Sequence, residues 1–172
     1  MPPRALSVVA RSGTGKTTLL ERLVPELGRR GVRVAVVKHD AHRFDIDHPG
    51  KDSHRLFAAG AEAILLLSPE KIALVKRVPA TPDIRTAIAT WLSDVDLVLT
   101  EGFKRGPLPK IELHRQARSD TLLCRGAERD PTLVAVASDH PLELDVPVLP
   151  LDDVATIADF VQRWMASGDG DP

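Results

Sequence analysis

The sequence predicts an α/β domain: a mostly parallel sheet flanked by helices, with an antiparallel hairpin at one edge. Three observations lead there. Short apolar runs alternate with helical patterns along most of the chain, which is the signature of parallel strands joined by helices. A glycine-bearing loop sits between the first apolar run and the first amphipathic segment. Two further apolar runs are separated by only a four-residue turn segment, Ser68-Pro69-Glu70-Lys71, a spacing that suits a hairpin.

In order, residues 5–9 read as a buried strand and residues 11–15 as a loop. Residues 16 to about 30 read as a helix with Leu19, Leu20, Leu23, Val24 and Leu27 on one face. Pro25 is expected to kink that helix and Gly31 to end it. Residues 33–38 form a second strand. Residues 39–51, rich in His, Asp, Pro and Gly, read as a functional loop. Residues 52–59 form a short helix closed by Gly60, and 63–67 with 72–78 form the hairpin. Thr81-Pro82 offers a cap and a first-turn proline for a helix reaching Leu92. Strands follow at 96–100, 110–113, 133–137 and 147–149, and Asp152 or Asp153 caps a last helix through Met165. The organisation expected is one domain over 1–166 and a flexible polar tail over 167–172.

The bulk properties narrow the function. The chain has 172 residues, enough for one sizeable core. A formal net charge of -1 gives no global basic field for nucleic acid. No apolar run reaches membrane-spanning length, and Met1-Pro2-Pro3-Arg4 leads directly into the first strand with no signal-peptide pattern, so a cytoplasmic protein is expected. Cys124 is the single cysteine, which excludes an intrachain disulfide and reads as a structural thiol.

The chemistry concentrates at Ala10-Arg11-Ser12-Gly13-Thr14-Gly15-Lys16-Thr17. The phosphate-loop pattern is G-x-x-x-x-G-K-[ST], and only the first glycine is replaced, by Ala10. Gly13 and Gly15 let backbone N–H groups turn inward into an anion nest, and the helix that starts there turns its N-terminal dipole toward the phosphates. Ser12 to Thr18 therefore form the expected nucleotide site. Lys16 reaches the β- and γ-phosphates, and the Thr17 hydroxyl ligates Mg²⁺. Ala10 weakens the site if the loop needs positive φ there.

Ligands of an open parallel sheet lie beyond the carboxyl ends of its strands. Asp96 starts its strand and Glu101 ends it; at about 3.3 Å per residue they stand roughly 16 Å apart, so Glu101 is the acid at the phosphate edge. It is expected to hold magnesium-bound water or orient an attacking water. Lys104 and Arg105 follow it at once. Lys38 and His39 end the second strand at the same edge, with Arg43, Asp45, Asp47, Lys51 and Asp52 beyond, as a switch-like loop would be placed. His39, His42, His48 and His54 match no defined metal spacing, and polar loop residues are the favoured reading. Asp139, ending the strand 133–137, is a candidate for accepting guanine N1–H and the exocyclic amine; Asp152 and Asp153 are rivals, and capping is at least as good a role for all three.

Together these residues resemble the MobB family, the molybdopterin-guanine dinucleotide biosynthesis adaptor proteins. The resemblance runs from Leu6 to about Asp139. It rests on the loop through Leu20, on Val37-Lys38-His39, Phe44-Asp45-Ile46-Asp47 and Pro49-Gly50-Lys51-Asp52-Ser53, and on Ala59-Gly60-Ala61. It continues through Thr100-Glu101-Gly102-Phe103-Lys104 and Pro109-Lys110-Ile111-Glu112 with Arg115. It implies a P-loop NTPase-type fold, GTP with Mg²⁺, slow hydrolysis, a homodimer, and assistance to the guanylyltransferase that joins GMP to molybdopterin, with molybdopterin itself a possible contact. Lys16, Thr17 and Glu101 carry over as phosphate and magnesium residues. The competing reading is an ATP-using small-molecule kinase, against which stands the lack of an arginine-rich lid helix. A partner-binding module with a vestigial loop is disfavoured by the joint presence of Gly13, Gly15, Lys16, Thr17 and Glu101.

Overall fold

A computed structural model describes residues 2–39, 45–126 and 129–168. Asp40, His42, Arg43 and Phe44 of the candidate loop, and 169–172 of the tail, lie outside the described residues. The chain divides into two compact units, Met1–His39 with Ile88–Pro172, and Asp40–Ala87.

The first unit is built on a six-stranded sheet. Its strands are β1 (Arg4–Ala10), β2 (Val34–Lys38), β5 (Leu97–Glu101), β6 (Lys110–His114), β7 (Leu133–Ser138) and β8 (Val148–Pro150), in the order β2-β5-β1-β6-β7-β8. Every pairing in this sheet is parallel. β1 is central, so its run of apolar residues is buried on both faces. Alternate side chains serve two cores. Leu6, Val8 and Ala10, with Leu97, Leu99, Ile111, Leu113, Ala135 and Ala137, pack against helices α1 (Lys16–Arg29) and α4 (Val154–Ser167). On the other face, Val9, Leu133 and Val136 meet Leu122 and Cys124 from the β6–β7 connection.

α1 runs unbroken through Pro25. Pro25 and Glu21, whose carbonyl loses its donor, are both exposed, so that carbonyl is open to solvent. Gly31, at φ 82, ends the helix: its N–H donates to the Gly28 carbonyl and that of Val32 to Leu27. This paired arrangement satisfies the last carbonyls. Glu26 pairs with both Arg29 and Arg30, and Arg30 continues to Asp159, tying α1 to α4.

The second unit holds α2 (Asp52–Ala58) and the hairpin β3 (Ala63–Leu67) and β4 (Ile72–Lys76). The hairpin is antiparallel as expected, and among the described residues β3 and β4 pair with each other in a two-stranded sheet of their own. Their turn is locally encoded: the Ser68 hydroxyl accepts from Lys71 N at 3.0 Å. A local turn signal specifies a hairpin and carries no information about an edge partner. Helix α3 (Ile84–Trp91) begins later than Thr81-Pro82 suggested. Asp83 is its cap, accepting from Thr86 N at 2.9 Å and Arg85 N at 3.3 Å, so the carboxylate two residues on outcompetes the threonine. Among the described residues no helix is long and apolar enough to cross a membrane.

Candidate functional site

Gly13 and Gly15, at φ 74 and φ 103, take the left-handed conformations that an anion nest requires. Gly15 is the N-cap of α1, and no side chain caps that helix. By contrast, Asp83 and Asp153 supply carboxylate caps to α3 and α4. The first turn of α1 also carries no acidic residue, so its N–H donors and dipole face the loop without internal compensation. Ala10 resolves the departure from the motif: it is the last residue of β1, fully buried in the core and paired with Leu113, and its φ is not positive. An extended strand residue needs no glycine.

The loop is braced from within. Thr14 is buried, and its hydroxyl donates to the Arg11 carbonyl at 2.9 Å, so Thr14 shapes the loop. Ser12 and Thr18 are exposed beside it. Lys16 is half-buried, and burial lowers its pKa, with repulsion from Lys104 adding to the fall and Glu101 opposing it.

The Thr17 hydroxyl donates to Glu101 Oε1 at 2.9 Å. A hydroxyl and a carboxylate in contact at the mouth of an anion nest are a hard oxygen donor set, which suits Mg²⁺ with phosphate and water as remaining ligands. Glu101 ends β5, in register with Val8 on one side and Lys38 on the other. At the opposite end of β5, Asp96 accepts from Arg33 at 2.7 and 3.1 Å in a bidentate pair that, with the Arg33 backbone N–H, holds its pKa at about 2. Strand direction therefore separates the two acids as expected, and only Glu101 meets the loop.

The chain reverses directly after Glu101. Gly102 and Phe103 both have positive φ, 104 and 54, and Gly106 N closes the turn on the Phe103 carbonyl. A Cβ on Gly102 would make ordinary contact, 3.4 Å, with the His39 Cβ, so it is the positive φ and not lack of space that calls for glycine there. His39 donates its N–H to the Glu101 carbonyl, and its ring lies 4.7 Å from that of Phe103. Lys38, His39, Lys104 and Glu101 are thus gathered at one sheet edge. Asp45, Asp47, Lys51 and Asp52 belong to the second unit. There Asp47 accepts from His48 N, and Asp52 sits 3.7 Å from Arg55. Hydrogen bonding from Ser53 holds the Asp47 pKa down. Among the described residues no three His, Cys, Asp or Glu side chains gather as a metal site needs.

Of the three base-reading candidates, Asp153 caps α4 and Asp152 pairs with Arg115 at 3.0 Å. Asp139 Oδ1 accepts from Gln116 N at 3.0 Å and lies 3.1 Å from His140 Nδ1, so bidentate base reading would compete with these contacts. Sequence reasoning gave Arg115, one of the residues that carry the resemblance, no role at the loop and did not single out Arg118. Arg115 Nε donates to the Thr14 carbonyl at 3.1 Å, and the Arg118 guanidinium carbon lies 3.7 Å from where a Cβ on Gly13 would be. Only the fold brings residues about a hundred positions apart together, and no local pattern signals it.

Comparison with known proteins shows the family. The profile of the family described as molybdopterin guanine dinucleotide synthesis protein B matches residues 5–139. The molybdopterin-guanine dinucleotide biosynthesis adapter protein of Escherichia coli is 41% identical over 171 residues, covering 96% of this chain and 95% of that protein. Its Haemophilus influenzae counterpart is 40% identical over 161 residues, covering 93% and 88%. A crystal structure of molybdopterin-guanine biosynthesis protein B superposes with a TM-score of 0.75 at 32% identity, covering 93% of this chain and 99% of the other. The chain belongs to the MobB family of molybdopterin guanine dinucleotide synthesis proteins.

Proposed function

We propose that this protein is a GTP-binding adaptor of molybdenum-cofactor assembly that assists the guanylyltransferase attaching GMP to molybdopterin, and is at most a slow GTPase. The observation that carries the nucleotide reading is the 2.9 Å contact of Thr17 with Glu101 at the mouth of an uncapped, glycine-lined helix N-terminus. Lys16 and the loop N–H groups hold the phosphates, and Thr17 and Glu101 hold hydrated Mg²⁺. When bound, the metal neutralises charge on the β- and γ-phosphates. Glu101 also orients water at the terminal phosphate. The names of the relatives, each referring to a guanine dinucleotide, support GTP over ATP.

Lys104, Arg105 and Arg129 line a hollow of about 540 Å³ with Val9, Leu123 and Cys124, together with Asp130, whose carboxylate is paired with Lys110. Cations over an apolar floor suit a phosphorylated heterocycle, which supports molybdopterin as a contact. The hairpin exposes Leu65, Leu67, Ile72 and Leu74, an apolar surface that supports a homodimer. The test is a pair of variants. Lys16→Ala is expected to abolish GTP binding in a calorimetric titration; retained wild-type affinity removes the loop from the account. Glu101→Gln is expected to keep GTP bound and slow phosphate release, and unchanged turnover removes Glu101 from hydrolysis.

A further inference from the structure

We propose that Arg118 is a positioning residue for the nucleoside end of the bound nucleotide, carried across the glycine loop on a rigid turn. The proposal rests on the nucleotide reading above and deepens it. A metal held by Thr17 and Glu101 would neutralise the terminal phosphates, so the Thr17–Glu101 contact marks that end of the proposed site. Glu101 belongs to β5, on one side of β1, and the chain that carries Arg118 leaves β6, on the other side. The nucleoside must leave the loop away from the metal, which is toward β6. Arg118 stands there, its guanidinium carbon 3.7 Å and its Nη1 3.8 Å from the Cβ position of Gly13. This is ordinary van der Waals distance, and it is available because residue 13 has no side chain.

The turn that presents Arg118 is fastened where it begins and closed on itself, Arg118 N and Ser119 N both donating to the Arg115 carbonyl. The 3₁₀ turn Gln116–Arg118 begins with Gln116 N donating to Asp139 Oδ1. The preceding residue, Arg115, donates to the Thr14 carbonyl at 3.1 Å and to Asp152 at 3.0 Å, bolting the turn to the loop and to the start of the α4 segment. Arg118 itself is exposed and forms no ion pair among the described residues. A planar cation presented there with its donors unspent is suited to lie on a base face or bond the ribose. Asp139 acts through this turn.

The experiment is a calorimetric titration of the full chain and of its Arg118→Ala and Arg118→Lys variants with GTP, GDP and inorganic tripolyphosphate, each with Mg²⁺. Arg118→Ala is expected to weaken GTP and GDP alike by about tenfold, a loss typical of one charge-assisted contact, while tripolyphosphate stays within about twofold. Arg118→Lys is expected to recover only part of the loss, because the ammonium keeps the charge without the plane. Equal weakening of tripolyphosphate, weakening of GTP without GDP, or no change in any ligand each overturns the proposal. Failure of the unaltered protein to bind GTP overturns the nucleotide reading instead, so the two failures are distinct.

Discussion

Lys110 is almost wholly buried in β6, 1% exposed, and it is spent on fastening the walls of the site. Its Nζ donates to the carbonyls of Gly106 at 2.7 Å and Leu108 at 3.2 Å, in the turn that follows Glu101, and to Thr132 Oγ1. It also pairs with Asp130 Oδ2 at 3.2 Å. Lys110→Met keeps the aliphatic stem, so the loss is electrostatic and not a cavity. Removing one partner of a buried pair costs about 3–5 kcal/mol. Asp130 keeps 24% of its side chain in solvent and retains its bonds from Thr132, which places the expected loss near the lower end, about 3 kcal/mol. For a chain of this size that lowers Tm by about 6–12 °C. Urea unfolding at neutral pH measures the free energy and a thermal scan the shift. Adding Asp130→Asn is expected to recover part of the loss, since the amide oxygen still accepts from Thr132 and the stranded charge is gone. A single-variant loss below about 1 kcal/mol, or strict additivity in the double variant, refutes the assignment of Lys110 as a fastener.

Three further outcomes follow from the site and its surroundings. Ala10→Gly, though it restores the motif, is expected to leave nucleotide affinity unchanged and to cost about 0.5–1 kcal/mol of stability, because residue 10 is extended strand; tighter binding by calorimetry contradicts this. Cys124 is buried, and burial, reinforced by Glu112, pushes its thiol up to about 12. A thiol-specific disulfide reagent at pH about 8 is expected to react with the urea-unfolded chain and not with the native one, and rapid native labelling contradicts the burial. Burial and Lys104 lower the Lys16 pKa from 10.5, so the free protein gains stability as pH rises through that lowered value toward 10.5. Phosphate raises the pKa again, so GTP binding in this alkaline window takes up a proton. Titrations in buffers of different ionisation enthalpy measure the uptake, and zero uptake throughout that window refutes the placement of Lys16 against phosphate.

The site was legible in sequence where its logic is local. The β1–loop–α1 unit follows from an apolar run, two glycines and an amphipathic pattern within about two dozen positions, and strand direction alone separated Glu101 from Asp96. The meaning of Ala10 was not legible, because the motif does not say where the strand ends. Nor was the start of α3, where Thr81 and Asp83 both offer caps and only their geometry decides. The hairpin's pairing was legible from its four-residue turn segment. The least legible parts are the longest-range ones: Lys110 with Asp130, Arg115 with Thr14 and Arg118 with Gly13 depend on how the β6–β7 connection folds back, which no periodicity encodes.

The most direct test of the account is calorimetric titration of the purified protein with GTP and with ATP, each with Mg²⁺. The account predicts saturable binding with a clear preference for GTP. Preference for ATP, or no binding of either nucleotide to a folded protein, contradicts it.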